Sequence, residues 1–270
     1  MQTSLKTAHT DETVYSPLAV DDPFYYGSRR ITETLPDGKT IYRDIPLTQA
    51  DFLNPQEGDQ MVQSDRHFAL VKSLHERFHK RYLYDATVGV FSDVKMLWGI
   101  DDLAEPAPDL AVVPNLRSKD EYHSSFDVRK EGTRPCLIVE VVSPRYPGDE
   151  TDKVAIYAQA GVREYIILNP HFETHNLPFT LQGYRLVDGH YQPMQPDAQG
   201  RLFSETTDVR FAISGSGYSL ILTDAATGEQ LLNDEEEYEA RLVAEARAFA
   251  AEAEVARLKA LLAKRSTNGA

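Results

Sequence analysis

Cysteine is almost missing: Cys136 is the single one in 270 residues, so no internal disulfide forms and no cysteine-based metal cluster can be assembled. No apolar run approaches the roughly 20 residues that a bilayer-spanning helix needs. The opening MQTSLKTAHTDETVYSP lacks a basic start followed by an apolar stretch, so it does not read as a secretory leader, and the expected compartment is the cytoplasm. Positive charge is short as well. At a net charge of −14 the chain repels phosphate backbones at long range, which excludes a general nucleic-acid coat protein. Any contact with DNA would have to use a local basic patch, or a metal that bridges carboxylates to phosphate. A Gly-rich phosphate loop, an HExxH pair and a G-x-S-x-G elbow are all lacking too.

What remains is the composition of a globular protein, 41% apolar and 26% charged, long enough to bury a real core. Residues 1–48 are polar and turn-rich and read as an arm with one hairpin, turning at Pro36, Asp37 and Gly38. Thr48 is placed to cap a short helix, QADFL. From Ser64 to Tyr82 the spacing of Leu70, Val71, Leu74 and Phe78 predicts a helix with one buried stripe. Its other face carries Arg66, Lys72, Arg77, Lys80 and Arg81, either a positive patch or an ordinary solvated face. Four strand-like runs follow: TVGVFSDVKMLW, DLAVVP, CLIVEVVSP and EYIILNP. DETDKVAIYAQAG, between the last two, predicts a helix capped by Asp149 or Thr151 and closed by Gly161, so those two strands should run parallel.

The core over residues 49–170 is therefore expected to be α/β, a mixed sheet flanked by helices. Residues 171–232 predict a β-rich extension with a hairpin at Asp188 and Gly189. Residues 233–270 predict a long helix. Leu242, Ala246, Phe249, Ala253, Ala256 and Ala260 keep the three-four spacing of a coiled-coil seam, and a homodimer is the partner it suggests; a lone helix is the competing reading.

Two carboxylates stand out. Strand alternation puts Glu140 on one face with Ile138 and Val142, and a carboxylate among apolar neighbours is costly to bury unless a cation or hydrogen bonds hold it. It is either a paired structural carboxylate or a metal ligand. Asp109, after Pro108 at the mouth of another apolar strand, orders a turn or serves as its partner. Two carboxylates at neighbouring strand ends make an all-oxygen site of the kind Mg²⁺ accepts. Lys153, with Tyr157 one turn along, is either a phosphate-side lysine or half of a surface pair with Asp149.

APDLAVV, PCLIVEVVSP and DETDKVAIYAQAGVREYIILNP together resemble the Uma-two family of restriction endonucleases, within the PD-(D/E)XK nuclease superfamily. EGDQMVQSDRH, before the basic helix, is similar to the family's approach to its first helix. The resemblance implies a restriction-endonuclease-like fold and metal-dependent hydrolysis of DNA with Mg²⁺, or Mn²⁺, as cofactor. It further implies Asp109 and Glu140 as metal-binding carboxylates, the Val141 carbonyl completing the metal shell, and Lys153 as the catalytic lysine. Superfamily members place that lysine two residues after the glutamate, where this chain has Val142, so it would come from the following helix. His67, Arg66, Lys72 and Tyr157 are the candidate substrate contacts. A nuclease fold that has lost catalysis and serves DNA binding or assembly is the alternative.

Overall fold

The computed structural model describes residues 24–267 apart from Val62, Asp120, Tyr122, Arg145, Glu173, His175 and Asn176, so the first 23 residues of the expected arm lie outside the described residues. The arm's hairpin forms between β1 (Ser28–Thr34) and β2 (Thr40–Pro46), and Gly38 takes the left-handed turn at φ 81° that a side chain would resist. Next comes α1 (Gln49–Leu53), begun by a capping box in which Thr48 and Asp51 exchange hydrogen bonds. β3 (Asp59–Gln60) then pairs with β1. Arg29 on β1 grips Asp59 at 2.6 Å and Asp51 at 3.1 Å, which ties arm, α1 and β3 together.

α2 (Asp65–Arg81) begins where Ser64 accepts the His67 backbone N–H at 3.1 Å, and it buries Val71, Leu74 and Phe78. The run TVGVFSDVKMLW is not one strand. It breaks into β4 (Gly89–Phe91) and β5 (Lys95–Leu97) at Asp93, whose φ of 56° turns the chain; Ser-Asp turn chemistry overrides the apolar flanks. β6 (Leu110–Val113), β7 (Ser125–Asp127), the single turn α3 (Val128–Glu131) and β8 (Leu137–Val141) follow. A 3-10 turn over Pro147–Glu150 leads into α4 (Asp152–Gln159) and β9 (Glu164–Asn169). Neither Asp149 nor Thr151 caps α4 through its side chain, contrary to expectation, because Asp149 belongs to the 3-10 turn. Gly161, at φ 75°, does close the helix.

β10 (Thr180–Val187) and β11 (His190–Pro193) make the expected hairpin through Asp188 and Gly189 and extend the main sheet, which runs β11-β10-β9-β8-β6-β4. Within it β8 and β9 are parallel and the other pairs antiparallel, so the sheet is mixed. β12 (Leu202–Ser204), β13 (Val209–Ile213) and β14 (Leu220–Asp224) form a second small sheet, and α5 (Asp234–Thr267) ends the chain. No helix of the described residues is long and apolar enough to cross a membrane.

Alternation along β8 decides the layers. Leu137, Val139 and Val141 face α2 and the small sheet, packing with Leu74, Phe78, Phe211 and Leu222. Ile138 and Val142 face α4 and the β5–β7 pair, among Tyr157, Met96 and Phe126. A strand covered on both faces must be apolar along its length, so a carboxylate at position 140 is a costly exception. Glu164, fully buried at the start of β9, is paired by Ser204, Thr206 and Arg185, and so fastens the second sheet to the first.

Candidate active site

The exception is resolved at one end of the main sheet. Because β6 and β8 run antiparallel with Leu110 opposite Val139, Asp109 enters β6 beside the place where Glu140 leaves β8. The two are joined through backbone: the Val141 N–H donates to Asp109 Oδ2 at 2.8 Å, and the Asp109 N–H reaches Glu140 Oε2 at 3.3 Å. Lys153, in the first turn of α4, projects back over the strand end and places Nζ 2.9 Å from Glu140 Oε1 and 2.7 Å from Asp149 Oδ1. Tyr157, one turn further along, donates its hydroxyl to Glu140 Oε1 at 2.6 Å. All three predicted residues, Asp109, Glu140 and Lys153, therefore converge.

His67 arrives from α2. Its Nε2–H donates to the Val141 carbonyl at 2.9 Å and lies 3.3 Å from Asp109 Oδ2, while Nδ1 is buried with no hydrogen-bond partner among the described residues. Arg66 and Lys72 are not brought to the cavity that these groups line, and Lys72 instead pairs with Glu76. Nor does the basic face of α2 form an open patch: Arg77 bonds Glu236, Lys80 pairs with Asp234 and Glu237, and Arg81 with Asp224. Tyr157 is fully buried beneath Glu140, so it orients that carboxyl and offers no surface to a substrate.

One member escaped the sequence reading and another was placed at the surface. Asp93, at the break between β4 and β5, lines the same cavity; the only signal was the polar pair Ser92-Asp93 interrupting an apolar run. Asp149 was visible as the partner of Lys153 four residues on, and that pair is here a buried part of the site, not a surface bridge. The two readings of Lys153 were compatible.

Electrostatics follow from burial and crowding. Burial works against the Lys153 charge, but Asp149, Glu140 and Asp109 outweigh it and raise the ammonium pKa, so Lys153 stays charged. Burial likewise opposes the His67 charge, and its bond to Asp109 more than compensates, lifting it to about 9. Asp109 is held below the usual carboxylate range, its burial outweighed by His67, Lys153 and the Val141 N–H. Burial pushes Glu140 and Asp149 up, and burial plus the Asp109 charge lifts Asp93 to about 6.

Four carboxyl groups (Asp93, Asp109, Glu140, Asp149) thus face two cations, Lys153 and His67. The three buried carboxyl groups of Asp109, Glu140 and Asp149, with the more exposed Asp93 beside them, offer oxygen donors of the kind a hard divalent cation takes. The donor chemistry fits Mg²⁺ or Mn²⁺. Among the described residues, however, no three His, Cys, Asp or Glu side chains are already spread around one point as a finished cage. Lys153 and His67 hold the carboxylates together, and a metal would draw Asp109, Glu140 and the Val141 carbonyl away from them.

The Uma2 family model, described as "Putative restriction endonuclease", matches residues 57–216. The chain belongs to this family. The match takes in every charged residue of the cavity and stops short of the arm and α1. Among solved structures, one described as "a putative nuclease" from Anabaena variabilis ATCC 29413 aligns with 15% identity and a TM-score of 0.40, over 65% of this chain and 82% of that one. No curated protein matches the chain.

Proposed function

We propose that this Uma2 protein is a metal-dependent endonuclease that hydrolyses DNA phosphodiester bonds. The observation that carries the reading is the convergence of Asp109, Glu140 and Lys153, with Lys153 Nζ 2.9 Å from Glu140 although the usual lysine position is occupied by Val142. Asp109, Glu140 and the Val141 carbonyl would hold Mg²⁺ or Mn²⁺. Bound there, the ion supplies a water of lowered pKa and a counter-charge for the phosphate. Lys153, fixed by Asp149, orients that water and faces the negative charge that develops on the phosphoryl oxygens. Tyr157 keeps Glu140 in register, and water attack at phosphorus breaks the P–O bond to the leaving sugar oxygen, which takes up a proton.

The test is DNA cleavage with and without Mg²⁺, comparing wild type with Asp109→Ala, Glu140→Ala and Lys153→Ala. Each change should lower the rate by at least about 100-fold, the scale of losing one preorganised charge in a reacting site. Undiminished cleavage in the first two variants would sink the assignment.

A second reading, a nuclease fold retained for DNA binding or assembly, is favoured by one feature: both Glu140 oxygens are already engaged, by Lys153, Tyr157 and the Asp109 N–H. Calorimetry with Mg²⁺ and Mn²⁺ separates the two, since a degraded site binds neither. Cytoplasmic location and homodimer formation through α5 complete the proposal.

A further inference from the structure

The cavity has a second wall that phosphodiester chemistry does not require. Besides the charged groups it is lined by Tyr25, Tyr26, Phe52 and Tyr146. Their rings form a continuous chain, with centroids 5.1 Å apart from Tyr25 to Tyr26, 6.1 Å from Tyr26 to Phe52 and 4.8 Å from Phe52 to Tyr146. The chain ends at Lys153, whose ammonium lies 6.0 Å from the Phe52 ring and 5.7 Å from the Tyr146 ring. Local structure holds the wall in place: the Tyr25 hydroxyl donates to the Pro144 carbonyl at 3.0 Å, and the capping box and Arg29 bridges fix α1. Tyr25, Tyr26 and Phe52 all precede residue 57, where the family match begins, with the two tyrosines just before β1 and Phe52 on α1.

Aromatic faces offer a phosphate nothing. The part of a nucleic acid that they bind is the base, and in a duplex the base faces are covered by their neighbours. A duplex also demands a broad cationic surface for its two backbones. Here the chain carries −14, and Arg77, Lys80 and Arg81 on α2 are taken up by ion pairs. Stacking adds a hold on a nucleic acid that needs no cationic surface.

We propose that the site acts on an unpaired DNA strand, with the nucleotide next to the scissile phosphate stacked on the half-buried rings of Tyr26 and Phe52, which the buried Tyr146 supports from behind. This rests on the nuclease reading and names its substrate class. The free space between the wall and the carboxylates is about 60 Å³, enough for water and too little for a base. The base therefore stays outside the cavity, against Tyr26 and Phe52, neither of which is fully buried.

The experiment is fluorescence anisotropy of the full chain in EDTA, with a labelled 20-nucleotide dT strand and a labelled 20-base-pair duplex. Single-strand affinity should exceed duplex affinity by about 10-fold or more. Phe52→Ala should weaken the single strand about 10-fold, within the range for losing one base–aromatic stack, and leave the duplex unchanged; Phe52→Trp should retain binding. If thermal melting shows Phe52→Ala to be unfolded, Tyr26→Ala replaces it with the same expectation. Equal or tighter duplex binding, an equal loss on both ligands, or no binding to either would overturn the proposal. Binding is read without metal, so strand preference with no cleavage defeats the nuclease reading, whereas cleavage with duplex preference defeats only the inference.

Discussion

Two groups of buried or half-buried cations in this molecule look alike in sequence and behave oppositely in space. On α2, Arg77, Lys80 and Arg81 meet Glu236, Asp234, Glu237 and Asp224 at the surface between α2, α5 and β14, where every cation has an acid partner and water is near. At the sheet end, Lys153 and His67 meet the buried carboxyl groups of Asp109, Glu140 and Asp149, with Asp93 at the more exposed edge. The α2 set has no cation left over for a ligand. At the sheet end the surplus is of acids, two to a cation and mostly buried, and a divalent cation has something to act on there. A basic stripe in a sequence is therefore weaker evidence of a nucleic-acid contact than one lysine among too many acids.

The largest effect expected from breaking this contrast is at Lys153. Lys153→Ala leaves Glu140 and Asp149 buried without their cation, and removing one member of a buried charge cluster costs about 3–5 kcal/mol. Urea denaturation should show that loss in metal-free buffer, with part of it restored by Mg²⁺ through preferential binding to the folded state. A change below about 1 kcal/mol would mean that the cluster is not held by this lysine. Arg77→Ala should cost less, about 1–3 kcal/mol. Its guanidinium is buried and bonds Glu236 at 2.7 Å, but Glu236 is open to water and can rehydrate. Cleavage by that variant should match wild type, since Arg77 lies outside the cavity.

The Arg81–Asp224 pair gives a pH signature. Its bond to Arg81, with help from the Thr227 N–H, holds the Asp224 carboxyl well below the usual range. A group with a depressed folded pKa adds stability above its unfolded value, near 3.8, and loses it as pH falls through the folded value. Denaturant midpoints of wild type and Asp224→Asn should therefore differ above about pH 4 and draw together in stronger acid. A constant difference across that range would show that the pair is not ionic.

Much of the site was legible because strand chemistry is local. Glu140 stands out by alternation alone, and Asp109 opposes it because antiparallel neighbours bring opposite strand ends together. Lys153 needed the family resemblance, since no spacing rule tells that the first turn of α4 folds back over β8. Asp93 and the aromatic wall were not legible. Asp93 depends on a positive φ within an apolar run, and the wall depends on where a hairpin some 100 residues before Tyr146 comes to rest. Tertiary placement of that kind leaves no periodicity. The choice between the two readings of the α2 face was not legible for the same reason, because the acids that pair with it are supplied by α5 and β14.

The smallest expected effect on the site, and the sharpest on assembly, lies in the tail. The first turn of α5 is anchored through Asp234, Glu236 and Glu237, while from Arg241 onward the described side chains are exposed, Leu242, Phe249 and Leu258 among them. A helix of 34 residues with apolar side chains open to water gains little from its own chain beyond that first turn. The three-four spacing from Leu242 to Ala260 gives a second copy a seam to cover. Truncation after Ala240 keeps the ion pairs to α2 and removes the seam, so the solution mass measured by light scattering should fall to half. Cleavage per site and the urea midpoint at high dilution should both hold. A mass that stays unchanged would refute pairing through α5, and a drop in cleavage alongside it would mean that the tail reaches the catalytic end of the sheet.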